Sequence, residues 1–274
     1  MSAVFRHAAT LLRQPGLAVE YAGWLASKAA TGGKPTRKML GGIEIAGFSN
    51  FSEYHSVPRF INEDERAFLE TTDFGTGPII DIGANVGLVS LVLARRFPDR
   101  AIHAFEPNPT TFHALTDNVA RNKAANVRCH QLAVSREDGT VLFDNDPINR
   151  GTTSIATPDS KFSTQVPAVA LDSFVAAQGI ASIGLLKVDV EGFETLVFGG
   201  ARRVLEDIRP ALIYFEVCPI LTERVGFPAA GPAQTLADAG YDLFRIAERN
   251  RLYAATPADV ASGFMLENWV AIPR

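Results

Sequence analysis

The spacing of apolar and polar residues changes period along the chain, and each change marks an element. Ile79-Ile80-Asp81-Ile82 is a short, nearly continuous apolar run that stops at Gly83. A second glycine, Gly87, follows, and Leu88-Val89-Ser90-Leu91-Val92-Leu93-Ala94 resumes with helical spacing. This order predicts a buried parallel strand, a tight turn and a helix over 86–97. Strand Ala101–Phe105, helix Thr110–Asn122 and strand Val127–Val134 repeat the alternation, followed by a hairpin-like Gly139–Phe143. Further on, Val166–Leu171 reads as a strand, with Asp172 capping the helix behind it, and Ile183–Val190 and Pro210–Val217 read as buried strands. A helix around Ala233–Ala239, strand Tyr241–Ile246 and strand Asn268–Ile272 complete the chain. Strands alternating with helices indicate an α/β domain with a mostly parallel sheet. The last strand has only Pro257–Ser262 before it, too short for a crossover helix, which makes it antiparallel.

Composition narrows the class. A chain of 274 residues that is 47% hydrophobic supports one substantial α/β core with additions. The formal net charge of −4 argues against broad nucleic-acid binding. Cys129 and Cys218 have no near-neighbour cysteine, so neither a zinc knuckle nor a disulfide framework is indicated. His103, His113 and His130 lack metal-site spacing and read as structural. With no apolar run of about 18 residues and no signal-peptide pattern, the expectation is a soluble protein of the reducing cytoplasm.

The charge is unevenly distributed. Residues 1–42 hold six basic residues against the single acid Glu20, so this arm carries +5 and the remainder −9. Two domains are therefore expected, a basic helical arm over 1–42 and an α/β domain over 43–274. The arm's Trp24 and its flanking apolar residues fit a helix packed on protein, and also one lying on an anionic membrane surface. Past the arm, Asn62 or Asp64 can cap a helix through Ala67, Phe68 and Leu69, and His55 before it is an acid/base candidate.

Two clusters carry chemistry. Gly83 and Gly87 would let the chain turn and let a ligand approach the helix N-terminus, where free N–H groups and the helix dipole attract polar ligands. A tight turn without a ligand has the same spacing, but the next strand changes the picture. Phe105 is followed by Glu106-Pro107-Asn108, and an acid at the end of the second strand is where doubly wound folds receive ribose hydroxyls. The second cluster is Lys187-Val188-Asp189-Val190-Glu191, where strand alternation would put Lys187, Asp189 and Glu191 on one side. Glu216, near the end of the following strand, adds a carboxylate to the same rim, while Glu194 reads as a favourable first-turn acid. The polar stretch 144–165 reads as a long loop that could contact substrate.

Asp81-Ile82-Gly83-Ala84-Asn85-Val86-Gly87, Phe105-Glu106-Pro107-Asn108, Leu132-Ala133-Val134-Ser135, Leu186–Glu194 and Glu267–Ile272 together resemble the FkbM-type methyltransferases, in the same order along the chain. The resemblance starts near residue 50 and leaves the arm outside. It implies a Rossmann-like, doubly wound seven-stranded sheet that binds S-adenosylmethionine, and O-methylation of a glycan sugar or a small secondary metabolite. It further implies that Asp81, Gly83, Asn85 and Gly87 surround the methionine part, that Glu106 holds the ribose, and that Asn108 and Ser135 lie near the adenosine.

A hydroxyl acceptor needs proton removal as the bond forms, which makes Asp189 or Glu191 the base, Glu216 a positioning group and Lys187 the balancing charge. A divalent cation held by these carboxylates is the alternative, disfavoured because no histidine stands among them. Two other classes compete, a non-catalytic SAM- or nucleotide-binding module and an NAD-dependent oxidoreductase. The glycine spacing counts against the second.

Overall fold

The structure is a computed structural model that describes residues 15–33, 36–38, 42–48, 50–56, 63–144, 163–247, 251–260 and 266–274. Its contacts divide the chain into two compact units, Met1–Phe60 and Ile61–Arg274. No helix among the described residues is long and apolar enough to cross a membrane.

In the first unit, helix α1 (Pro15–Ala30) opens on the proline, whose fixed φ suits a first helical position. Strands β1 (Thr36–Lys38) and β2 (Glu44–Ala46) pair antiparallel, and helix α2 (Phe51–Ser56) follows. Trp24 is buried against Tyr21 and Phe51, with their ring centroids 5.6 and 5.9 Å away, so the tryptophan of the basic arm packs inward. Strand β2 and helix α2, which the sequence reading assigns to the α/β domain, belong to this unit.

The second unit begins with helix α3 (Glu63–Thr71), before which Asn62 lies outside the described residues. Strand β3 (Ile79–Ile82), helix α4 (Leu88–Arg96), strand β4 (Ile102–Phe105), helix α5 (Pro109–Arg121) and strand β5 (Val127–His130) come next. A small sheet follows, made of β6 (Ala133–Ser135), β7 (Gly139–Asp144) and β8 (Ser163–Ala170), with residues 145–162 of the polar loop outside the described residues. Helix α6 (Leu171–Gln178), β9 (Leu185–Val188), α7 (Glu194–Gly199), β10 (Leu212–Val217), α8 (Pro219–Arg224) and α9 (Gly231–Asp238) continue the alternation. Strands β11 (Tyr241–Ala247), β12 (Arg251–Ala255) and β13 (Glu267–Pro273) close it.

The main sheet runs β12-β11-β13-β10-β9-β3-β4-β5. Strands β10, β9, β3, β4 and β5 are mutually parallel, and β13 inserts antiparallel beside β10. This is the expected doubly wound α/β sheet with an antiparallel C-terminal strand. It has eight strands rather than seven, because Arg251–Ala255 folds back on β11 as an edge hairpin. The continuous strand expected over 127–134 is divided between the two sheets. Ala133, Val134 and Ser135 pair parallel with β8 and are all buried, whereas β5 stays at the edge of the main sheet with only Val127 buried.

Strands β3, β4, β9 and β10 are buried along their whole length. Alternation then gives them two distinct faces. Ile80, Ile82, Leu186, Val188, Ile213 and Phe215 enter one core with Phe174, Val197, Phe198, Leu236 and Trp269. The opposite face carries Asp81, Lys187 and Tyr214, aligned by the register Asp81↔Lys187 and Lys187↔Tyr214. Glu216↔Asn268 is the next same-face pair along β10. A polar seam therefore crosses the middle of the sheet and ends at its carboxyl edge.

Asp172 does not cap α6. Its carboxylate accepts 2.9 Å hydrogen bonds from the N–H groups of Arg203 and Val204, so it caps the helical segment after α7 instead.

Candidate active site

The glycine loop is held from every side. Gly83 N–H and Ala84 N–H both donate to the Phe105 carbonyl, at 3.1 and 2.9 Å. Asn118 Nδ2 donates to the Val86 carbonyl at 2.8 Å, and Lys187 Nζ donates to the Gly83 carbonyl at 2.8 Å. Gly83 has φ +77°, and a Cβ there would stand 1.8 Å from the Asp189 carbonyl oxygen. The first glycine is thus required by the neighbouring strand end as well as by the turn. At Gly87 a Cβ would meet Leu115 of α5.

Glu106 follows β4 and is buried. Its Oε2 accepts from Asn85 N–H at 3.0 Å and its Oε1 from Asn108 N–H at 2.9 Å. Burial pushes its pKa up to about 7, against those two hydrogen bonds. Each oxygen retains a second lone pair, so the carboxylate can still accept from a bound hydroxyl. Asn108 serves as the N-cap of α5, its Oδ1 accepting from Thr110 and Thr111 N–H. Asn85 sits at φ 51° and its Oδ1 accepts from Val86 N–H at 2.8 Å. Ser135 lies in the small sheet, its carbonyl packed where a Cβ on Gly200 would fall.

Helix α4 begins at Gly87 with no side-chain cap, which leaves its first-turn N–H groups directed toward the loop. An uncapped helix start, a glycine turn and a buried carboxylate with free lone pairs suit a nucleoside bearing an amino-acid chain. The residues present therefore fit S-adenosylmethionine, for which Glu106 could accept from ribose hydroxyls and the loop N–H groups could meet the methionine part.

Asp81 is wholly buried, with Oδ2 accepting from Ser90 Oγ at 2.5 Å and Oδ1 lying 3.1 Å from Lys187 Nζ. Lys187, 3% exposed, also lies 3.4 Å from Asp189 Oδ2. Burial works against its charge, but Asp81 and Asp189 outweigh burial and raise its pKa. Its ammonium donates to the Gly83 carbonyl and is paired with these two acids, so Lys187 fastens the glycine loop to β9.

The carboxylates collect beyond β9. That strand ends at Val188, so alternation stops there, and Glu191 takes a left-handed backbone at φ 57° beside Gly192. Burial raises Glu191 to about 8, with Asp189 and Glu194 adding to the shift. Glu194, read in sequence as a helix-start acid, is 1% exposed and turns back to accept from Val190 and Gly192 N–H. Burial raises its pKa to about 7 despite those bonds. Glu216 is pushed up to about 10, first by burial and then by Asp189, Glu191 and Glu194. Its Oε2 is buried with no hydrogen-bond partner among the described residues.

The structure thus draws Lys187, Asp189, Glu191 and Glu216 to one edge beside the glycine loop. His55 pairs through Nδ1 with Glu20 in the first unit. No group of three or more His, Cys, Asp or Glu side chains among the described residues is arranged to hold a metal ion.

Sequence reasoning missed Tyr214 and Glu65. Tyr214 hydrogen-bonds Glu65 of α3, and burial raises its pKa, with Glu65, Asp189 and Glu216 adding to the shift. Glu65 Oε1 in turn accepts from Asn268 Nδ2 at 2.8 Å. The two-residue spacing of Tyr214 and Glu216 on a strand was the available signal.

Residues 81–243 match the Methyltransferase FkbM domain. The chain is 33% identical to the 31-O-demethyl-FK506 methyltransferase FkbM of Streptomyces tacrolimicus, over 60% of this chain and 75% of that protein. It is 28% identical to the hexuronic acid methyltransferase AglP of Haloferax volcanii, over 48% of this chain and 53% of that protein. Among solved structures, Methyltransferase FkbM from Methylobacillus flagellatus aligns at TM-score 0.47 and 13% identity, over 72% of this chain and 43% of that one. The alignments thus span 75% and 53% of the two curated relatives and 43% of the solved chain. The chain belongs to the FkbM methyltransferase domain family, whose methyl donor is S-adenosylmethionine.

Proposed function

We propose that this chain methylates a hydroxyl oxygen of a sugar-like or other hydroxyl-bearing small molecule, with Glu191 as the proton acceptor. The observation that carries the reading is Glu191 itself. It stands at the carboxyl edge next to the glycine loop, in a backbone conformation that costs a non-glycine residue about 1 to 3 kcal/mol, with its pKa raised to about 8. A base works best with a pKa near the operating pH, and burial has moved this carboxyl there. Bound S-adenosylmethionine supplies an already electrophilic methyl group on a sulfonium.

The protein's contribution is alignment and proton removal. Lys187 and Asn118 fix the glycine loop, Glu106 receives the ribose, and the carboxylate edge holds the acceptor oxygen in line. Orientation of this kind contributes about 7 to 11 kcal/mol to a bimolecular step. As the oxygen–methyl bond forms and the carbon–sulfur bond breaks, the hydroxyl proton passes to Glu191. Glu216, protonated at neutral pH, then serves as a hydrogen-bond donor to the acceptor. The names of two relatives, one specifying a 31-O-demethyl substrate and one a hexuronic acid, support a hydroxyl acceptor.

The test is transfer of labelled methyl from S-adenosylmethionine to a panel of hydroxyl-bearing acceptors, with the linkage identified by mass spectrometry. A methyl ether is the expected product. Methylation only at nitrogen or carbon, or none with any hydroxyl acceptor while the donor still binds, would overturn the reading.

A further inference from the structure

A cavity of about 220 Å³ opens at the same carboxyl edge, lined by Asp64, Glu65, Arg245, Glu267 and Asn268 among others. Its walls come from α3, β11 and β13. Strand β13 is three strands from the glycine strand β3, which at about 4.8 Å per strand is ~14 Å. That places the cavity beyond the donor's methionine part, on the far side of β9 and β10.

It borders the carboxylate rim through Asn268. Glu216 stands directly opposite Asn268 in the antiparallel register, and directly opposed residues share a face with Cβ atoms about 5 Å apart. Asn268 Nδ2 is bound to Glu65, but Asn268 Oδ1, like Glu216 Oε2, is buried without a hydrogen-bond partner among the described residues. Glu216 is 8% exposed. Orphaned buried oxygens in a finished fold mark positions where a donor is expected to arrive. One is an amide carbonyl and the other belongs to a carboxyl group, so both can receive N–H or O–H donors.

The charge is one-sided. Arg245 is committed to Glu267, through Nε to Oε2 at 2.8 Å and Nη2 to Oε1 at 2.5 Å. Asp64 and Glu65 add negative charge to the lining, and Asp189 lies near enough to Tyr214 to add to the same field, while Glu216 is neutral at pH 7. A carboxylate-bearing acceptor would meet like charge here, whereas a cation would find compensation.

We infer that this cavity seats the acceptor, and that the acceptor is a hydroxylated amine of the amino-sugar class, its ammonium facing Asp64 and Glu65. The inference rests on the hydroxyl-methylation reading and names its substrate class. The protonated amine has no lone pair to take the methyl group, so transfer stays on oxygen and the proton still leaves to Glu191.

Saturation-transfer NMR on the full chain with S-adenosylhomocysteine tests it, using glucosamine, methyl glucoside and glucuronic acid as probes at pH 7. Glucosamine should receive saturation and glucuronic acid should bind about tenfold or more weakly. Asp64→Asn and Glu65→Gln should each erase that preference. Glucuronic acid binding as well as glucosamine, silence of all three sugars, or a preference untouched by both substitutions overturns the inference. Calorimetry with S-adenosylhomocysteine on the same samples separates the two failures. Retained donor affinity leaves the methyltransferase reading standing, and its loss in the unmodified chain removes both.

Discussion

The carboxyl edge of the sheet has two halves, and they are built on opposite principles. From β3 to β4, polar groups are spent on one another. Asp81 binds Ser90 and Lys187, Glu106 binds Asn85 and Asn108, and Asn108 caps α5. From β9 to β13, acids accumulate faster than partners, and Glu216 and Asn268 keep buried oxygens without hydrogen bonds among the described residues. The first half is preorganised for one donor, with little left to rearrange. The second gathers three carboxyls raised by burial and by neighbouring acids, to about 7, 8 and 10 at Glu194, Glu191 and Glu216, where the first has Glu106 at about 7.

The seam between the halves is Lys187, and breaking it should have the largest effect. Lys187→Met leaves Asp81 buried without its cation and the Gly83 carbonyl without its donor. Stranding one member of a buried pair costs about 3 to 5 kcal/mol, so the denaturation midpoint should fall accordingly and donor binding should be lost with it. A variant of unchanged stability would show that the two halves are not joined here.

Glu191→Gln comes next and acts on the second half alone. Donor affinity should be retained in calorimetry while turnover falls by about 10² to 10⁴. In the unmodified chain the rate should climb with pH toward a plateau above about 8, because a carboxyl with a raised pKa supplies its basic form only above that value. A rate insensitive to both the substitution and the pH would move the proton to Asp189.

The same contrast explains how much could be read in the sequence. The donor half is local: a glycine turn and an acid after the next strand lie within 24 residues of chain, and Gly83, Gly87 and Glu106 announce themselves by spacing. The acceptor half is assembled across the register. Glu65 and Asn268 are 203 residues apart, and only the insertion of β13 beside β10 brings Asn268 opposite Glu216. Alternation groups Lys187 with Asp189, which lie 3.4 Å apart, but it does not extend to Glu191, where the strand has ended and the backbone is left-handed. Asp172 and Glu194 were legible as helix-start acids, but not that Asp172 reaches forward to Arg203 or that Glu194 ties back to Val190. The edge hairpin at Arg251–Ala255 carried little signal because only Ala255 in it is buried.

A smaller effect sharpens the donor half. Glu106→Gln keeps the size of the side chain but replaces an acceptor oxygen with a donor, so one of the Asn85 and Asn108 bonds and the ribose contact are weakened together. Affinity for S-adenosylhomocysteine should drop by about 1.5 to 3 kcal/mol. In the unmodified chain that affinity should rise as pH passes about 7, where the carboxylate forms, and the variant should lose this dependence. Equal affinity in the two proteins across that range would remove Glu106 from the ribose.

The smallest effect at acid pH, and the most diagnostic in sign, is expected at Glu216. A carboxyl whose folded pKa is raised to about 10 is protonated below that value, and an amide then mimics it in shape and in having a donor. At pH 5, Glu216→Gln should therefore change stability by only about 1 kcal/mol or less. The native chain holds this proton while the unfolded chain releases it near the ordinary carboxyl value of 4.5, so rising pH favours unfolding throughout the interval between the two. The stability conferred by the neutral group is fully present below 4.5 and is lost as pH climbs toward 10. The amide does not titrate, so the variant escapes that loss. The histidine shifts at His103 and His130 are downward, act below about 6.5, and are common to both proteins, so they cancel in the difference. Thermal melts from pH 5 to 9 should show the variant gaining on the unmodified chain at each step. A difference that stays flat, or moves the other way, would mean that Glu216 is already ionised and that the acceptor half is not the charge-strained site described above.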